Sequence, residues 1–348
     1  MAKSTGKVRA ARLTDLAALG ELSRLAQADG EGTRSLGLPV AGPRIGVFAL
    51  FRLPLGAFTP HDVMYVYERG GHVAGLLRAV RENARDEWTA VELDAVGDMD
   101  AGDVRFRLVQ HLLRDGARRG ATRFHVACAD ADDNVELFMQ AGFVRYGDER
   151  LLFRAAETPL PPPMSHEEAA GHGIRPATPQ DALALSRLYA AVTPAPVQRL
   201  EAIRLPDWER QGREWRVPRS SLAPILRFAD VDAFVLGAPG GGKDGTQLDA
   251  FLQVGVAKED QPHYLKVIAR PEADVAALVR FGLGVIGAET DLPSARGQGV
   301  LAPVRTYESP TDRRLEEAGF ESIAIVTLLM KETLVRVAEP SLVPAGVR

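Results

Sequence analysis

The chain repeats itself, which restricts it to folds assembled from two like halves. Ile174, Arg175, Pro176 and Ala177 read as a short strand like Val8, Arg9, Ala10 and Ala11. Asp181, Ala184, Leu185 and Leu188 then restate Asp15, Ala18, Leu19 and Leu22 at one constant offset. Much later, Ala318, Gly319 and Phe320 restate Ala141, Gly142 and Phe143. Two landmarks in the same order argue for an internal duplication. Between the copies, the run from Thr158 to Met164 holds four prolines. Consecutive prolines neither donate to a sheet nor continue a helix, so this run reads as a stiff linker. A length of 348 residues also exceeds what one ordinary core fills. The expected organisation is a first domain over 1–155, a linker over 156–173, a second domain over 174–338 and a tail over 339–348.

Hydrophobic periodicity supplies the elements. In the first half, Leu16, Leu19, Leu22 and Leu25 have helical spacing, with Thr14 as an N-cap candidate. Strands over 62–68 and 72–80 flank Gly70 and Gly71, a tight hairpin turn. The most regular stretch follows: a strand from Trp88 to Val96, a turn rich in Gly and Asp, and a helix from Val104 to Arg119. A strand from Arg123 to Cys128 and a short helix ending at Ala141-Gly142-Phe143 come next, then two strands near 144–146 and 149–154. In the second half, Thr178, Pro179 and Asp181 form a helix start. Strands are expected near 233–236, 248–257 and 264–269, a helix over 274–286, and strands at 300–304 and 323–331. The segment from Thr333 to Val337 is a candidate to carry the last strand across to the other half.

The order of strand, Gly/Asp turn, helix, strand and short helix closing on Gly142-Phe143 resembles the cofactor-binding half of the GCN5-related N-acetyltransferases, the GNAT superfamily. The resemblance implies an α+β fold of two GNAT-like domains, each a mixed, mostly antiparallel sheet flanked by helices. It also implies transfer of an acyl group from acetyl-CoA or another acyl-CoA to an amine on a small molecule or peptide. In that family the pyrophosphate rests on N–H groups at a helix N-terminus, through Arg/Gln-x-x-Gly-x-Gly/Ala. A strand bulge just before it lets backbone groups bind pantetheine and polarise the thioester carbonyl. A carboxylate or a water chain takes the amine proton, and a tyrosine on the last helix often protonates the leaving thiolate. Carried onto this chain, cofactor binding falls on Ala95, Val96, Gly97, Gly102, Val104 and Arg105. The base falls on Glu92 and Asp94, which share one face of their strand. The zone from Gly30 to Phe58 corresponds to the helices and loop over the acceptor.

The sequence also departs from the family pattern. Asp100 stands where Arg or Gln belongs, Asp103 replaces the first glycine, Arg105 replaces the second, and Asp98 adds a carboxylate. Such acids suit a helix dipole and repel a pyrophosphate. The tyrosine position falls on Phe138 in the first half and Leu315 in the second. In the second half, Glu272, Ala273 and Asp274 run into the helix without glycine. Two readings follow. One is an acyl-CoA-dependent N-acyltransferase with an atypical cofactor loop, its chemistry in the first half. The other is a catalytically inactive GNAT-like binding or scaffold protein with a protein partner.

Other motifs carry weaker chemistry. Gly237 to Asp244 matches a P-loop as far as Lys243, but Asp244 replaces the magnesium-binding hydroxyl and a strand pattern follows, so a hairpin loop is expected. Arg296-Gly297-Gln298-Gly299 precedes a strand, so no helix dipole backs it. His166 and His172 are six apart, not the four a zincin needs, and no metal is expected. Arg210, Arg213, Arg216 and Arg219 interleave with Trp208 and Trp215, either as a phosphate or partner loop or as a solvated segment pinned by tryptophans. A net charge of -4 gives no electrostatic footprint for nucleic acid or an acidic membrane. The single cysteine, Cys128, and the lack of an apolar leader or long apolar run fit a cytoplasmic protein.

Overall fold

The computed structural model describes residues 6–27, 33–34, 36–38, 62–82, 86–96, 101–131, 133–210, 217, 219–226, 228–237, 247–257, 261–289 and 298–333. The first-half strands are β1 (Lys7–Ala10), β2 (Thr33–Arg34), β3 (Asp62–Arg69), β4 (His72–Glu82), β5 (Glu87–Val96), β6 (Arg123–Ala129) and β7 (Val144–Arg154). The second half contributes β8 (Ile174–Pro176), β9 (Phe228–Gly237), β10 (Leu248–Ala257), β11 (His263–Ala269), β12 (Val300–Arg305) and β13 (Glu321–Glu332). The main helices are Leu16–Gln27, Ala101–Arg118 and Asn134–Gln140 in the first half, and Ala182–Val192, Val275–Glu289 and Ser309–Glu317 in the second.

The two halves share one continuous sheet, in the order β1-β3-β4-β5-β6-β13-β7-β12-β11-β10-β9-β8, with β2 added on β5. The last strand of each half lies in the sheet of the other. β13 pairs antiparallel with β6, from Val326 opposite Ala129 to Glu332 opposite Arg123. β7 pairs antiparallel with β12, from Val300 opposite Arg154 to Arg305 opposite Glu149. β7 and β13 also pair with each other. β6 and β12 would otherwise end in open hydrogen-bonding edges, and the exchange closes both. The crossing is therefore made by the long strand itself; positions beyond 333 lie outside the described residues.

One expectation needs correcting. The pair of strands near 144–146 and 149–154 is a single strand, β7. Gly147 and Asp148, left between those two strands, sit at a register shift, with Gly147 opposite Leu328 and Arg145 opposite Leu329. Tyr146 is the extra residue of a bulge, and the strand continues through it.

The duplication is visible in side-chain detail. Arg9 grips both oxygens of Asp15 at 2.7 and 2.8 Å, and Arg175 grips Asp181 at 2.8 and 2.6 Å. The same carboxylates accept the backbone N–H of Arg12 at 2.7 Å and of Thr178 at 2.8 Å. The two Ala-Gly-Phe landmarks turn alike, with φ of +87° at Gly142 and +86° at Gly319, a left-handed geometry that glycine adopts without strain.

One face of the first half is packed by the Ala101–Arg118 helix, whose Leu108 and Leu112 are buried against Leu93, Phe124 and Phe138. The matching core of the second half joins Leu278 and Ile286 of the Val275–Glu289 helix to Leu252 and Leu265. A further cluster, with Leu151, Leu222, Leu226, Tyr264 and Leu328, spans the two halves. Each fully buried leucine contributes about 1.5–3 kcal/mol. β9 and β10 are adjacent antiparallel strands with Leu248 opposite Gly237, so the glycine-rich segment between them joins a hairpin, not a strand to a helix. Gln298 and Gly299 likewise lead into β12. His166 opens a short helix, His166–Gly171, capped by Ser165. Among the described residues no group of three metal-ligating side chains forms, and no helix is long and apolar enough to cross a membrane.

Candidate functional site

The first-half site is built where β5 leaves its neighbours. Arg78 lies opposite Glu92 but Ala79 lies opposite Ala90, so Val91 is an extra residue and β5 carries a bulge. β5 and β6 run parallel and pair only from Glu87 opposite Arg123 to Ala90 opposite Val126. Beyond that point the two strands part, and their facing backbone groups line a gap.

Glu92 and Asp94 lie on the face away from the Ala101–Arg118 helix. Asp94 is opposite Leu76, which packs with Leu19 of the first helix, whereas Leu93 packs in the other core. Asp94 is 3% exposed. Burial, and then the charge and hydrogen bond of Glu92, push its carboxyl up to about 8, against the pull of Arg105 and Arg78. Glu92 is itself held by Arg78 Nε at 3.0 Å. The pair is therefore a buried carboxyl whose proton affinity is raised toward neutrality, beside a carboxyl that Arg78 holds.

Ala95 and Val96 follow on β5, and Gly97 lies outside the described residues. Gly102 and Val104 belong to the first turn of the Ala101–Arg118 helix, whose leading N–H groups have no helical acceptors. Among the described residues, a Cβ built on Gly102 meets nothing within 4 Å. The Val104 side chain turns into the core. Arg105 is buried and donates to Asn134 Oδ1, and Asn134 Nδ2 donates to Ala129 O at 3.2 Å. This chain of contacts ties both helix starts to the end of β6. A cleft of about 350 Å³ opens between the two helices, and Asp103, Asp133 and Glu136 line it with Arg105. Cys128 is fully buried, and burial pushes its thiol up to about 12, which removes it as a nucleophile. Phe138, at the tyrosine position, packs edge-on against Phe143.

The opposite mouth of the gap is closed by the second half. Ser220, Ser221 and Ile225 meet Val91, His125 and Tyr146 around a void of about 20 Å³, room for a single water. An ionic network that sequence reasoning missed holds this junction. Arg305 is 3% exposed and reaches Glu149 at 3.2 Å, Glu201 at 2.8 Å and the Arg219 carbonyl at 2.9 Å. Arg219 in turn pairs with Glu82 at 2.7 Å and with Glu87, which also faces His125 at 3.2 Å. Arg219 thus belongs to neither a phosphate loop nor a solvated segment. Arg210 lies 3.6 Å from Asp207, Trp208 is buried, and Arg213, Trp215 and Arg216 lie outside the described residues.

The second half lacks the same construction. β10 and β11 pair without a register shift from Ala250 opposite Ala269 to Gly255 opposite Tyr264. β11 and β12 also part early, but Lys266 bridges them: buried at 1% exposure, it donates to Pro303 O at 3.2 Å and pairs with Glu308 at 2.8 Å. Asp274 caps the following helix by accepting from Ala277 N at 3.1 Å. Leu315 is buried core.

The fold as a whole has counterparts among solved structures. A tandem GNAT protein from the clavulanic acid biosynthesis pathway superposes with a TM-score of 0.55 at 13% identity, over 94% of this chain and 98% of that one. The fold is a tandem GNAT fold. A GCN5-related N-acetyltransferase from Sphaerobacter thermophilus gives a TM-score of 0.51 at 15% identity, over 94% of this chain and 95% of that one. At these identities the likeness is one of fold. Neither a family model nor a curated protein sequence matches the chain.

Proposed function

We propose that the protein is an acyl-CoA-dependent N-acyltransferase whose chemistry resides in the first half of the tandem GNAT fold. The carrying observation is the bulge at Val91 beside the β5–β6 gap, a construction the second half does not repeat. The residues fit the acylated arm of acetyl-CoA or another acyl-CoA: backbone groups of Ala95 and Val96 border the gap, and no described residue lies within 4 Å of a Cβ built on Gly102. They do not favour its diphosphate end, since Asp103, Asp133 and Glu136 line the cleft there. When bound, an acyl-CoA supplies an acyl group activated as a thioester.

The chain's own part is to handle the proton of the amine. A base works best with a proton affinity near the working pH, and Asp94 is pushed into that range by burial and Glu92. Arg78 holds Glu92 in place beside it, with Nε 3.0 Å from Oε2. Phe138 offers no proton to a leaving thiolate. The acceptor is an amine on a small molecule or peptide, and the single buried Cys128 suits a reducing, cytoplasmic setting. Thiol release from acetyl-CoA with a panel of primary amines tests this: D94N should abolish turnover while the protein stays folded by circular dichroism. Unchanged turnover in D94N would reject the assignment.

A second reading, a catalytically inactive binding or scaffold protein, is favoured by the acidic lining of the cleft. Under it no acyl-CoA shifts the melting temperature, and the surface is occupied by a protein partner instead.

A further inference from the structure

The gap between β5 and β6 is filled by the chain itself. β4 takes one edge of β5, with Gly75 opposite Ala95. Arg34 is also opposite Ala95, and Thr33 is opposite Val96, so β2 must lie on the other edge, the one that faces β6. On the β6 side of the gap, the Leu36 carbonyl accepts the Ala129 N–H at 2.9 Å. Gly37 makes the approach close: its φ is +67°, and a Cβ there would lie 2.8 Å from the Cβ of Ala129. Leu36 is buried in the first-half core, so the segment is anchored by a side chain as well as by backbone.

Backbone groups of Ala95, Val96 and Ala129 that border the gap are thus already engaged. An amide-bearing arm entering the gap requires the same groups, because each N–H and C=O serves few partners. We infer that residues 33–34 and 36–38 are a built-in competitor for the arm of an acyl-CoA, a strap that leaves the gap when the cofactor enters. The inference rests on the acyl-CoA reading above and adds a regulatory step to it. A ligand whose competent state is only partly populated binds more weakly in proportion to that population, so loosening the strap raises affinity without any new contact.

Two substitutions loosen it by different means. Leu36→Asp places a charge in the core, and Gly37→Val cannot adopt a left-handed backbone beside Ala129. Acetyl-CoA is titrated calorimetrically into the full-length wild type and both variants, and exchange of the Ala129 amide is followed by hydrogen–deuterium mass spectrometry. The strap predicts faster exchange at Ala129 in both variants and acetyl-CoA binding tighter by about tenfold or more. A synthetic peptide of residues 33–38 should compete with acetyl-CoA for the L36D protein. Equal affinity in all three proteins would overturn the strap and leave the acyl-CoA reading standing. Fast Ala129 exchange with no acetyl-CoA binding in either variant would overturn both, and a peptide that does not compete would overturn the strap alone.

Discussion

Replacing Asp94 with Asn removes a carboxyl that the fold holds against its preference. Asp94 is buried beside Glu92 and pushed up to about 8, whereas in the unfolded chain it ionises near the usual value of about 3.9. Between those values the folded protein keeps a proton that the unfolded chain has released. Stability therefore falls as pH rises through that window, by up to about 1.4 kcal/mol per pH unit for this one group. Asn carries no such dependence. From about pH 5 to about pH 7, the stability of D94N relative to wild type should rise by about 2–3 kcal/mol, the titrating groups that do not touch Asp94 cancelling in the difference. Urea denaturation followed by tryptophan fluorescence, at several pH values across this range, measures it. A difference that stays flat with pH would refute the claim that Asp94 holds its proton in the folded state.

Further consequences can be checked with the same assay. Arg305→Met strips the partner from Glu149 and Glu201 at the junction of the halves and should cost about 3–5 kcal/mol in urea denaturation. Gly142→Ala and Gly319→Ala each place a side chain at φ near +87° or +86° and should each cost about 1 kcal/mol or more. G142A should cost the more of the two, because its Cβ meets Lys331 Nζ at 2.5 Å, an amine that donates to Ala141 O at 2.6 Å. A fragment of residues 1–155 lacks the strand that separates β6 from β7. It should not form a soluble monomer alone and should be rescued by co-expression with residues 156–348, as read by size-exclusion chromatography.

The repeated halves and the Ala-Gly-Phe landmarks were legible in the sequence because each depends on residues close together along the chain, whereas the Arg–Asp pairs at the two starts were seen only in the structure. Gly70 and Gly71 announce a hairpin and form one, with φ of +58° and +82°. The exchange of β7 and β13 was hidden, because a strand's alternation says which face is buried and nothing about which neighbour it meets. Gly147 and Asp148 show the same limit locally, since turn residues also serve a bulge. The site was legible in part. Glu92 and Asp94 could be put on one face from their spacing, but the bulge at Val91 depends on register with β4. Residues 33–34 and 36–38 lie in a stretch without periodicity, and their place in the gap comes from backbone pairing that no side-chain pattern records. The Arg305 and Arg219 networks join charges far apart in sequence, which local charge patterning cannot pair.

The central claim is that one half of the tandem fold, and only one, has a gap that accepts an acyl-CoA. The most direct test is the calorimetric stoichiometry of acetyl-CoA on the full-length protein. One molecule per chain is expected, since Lys266 and Glu308 bridge the second gap and Asp274 caps the second helix start. Two molecules per chain, or none at any concentration tried, would contradict it.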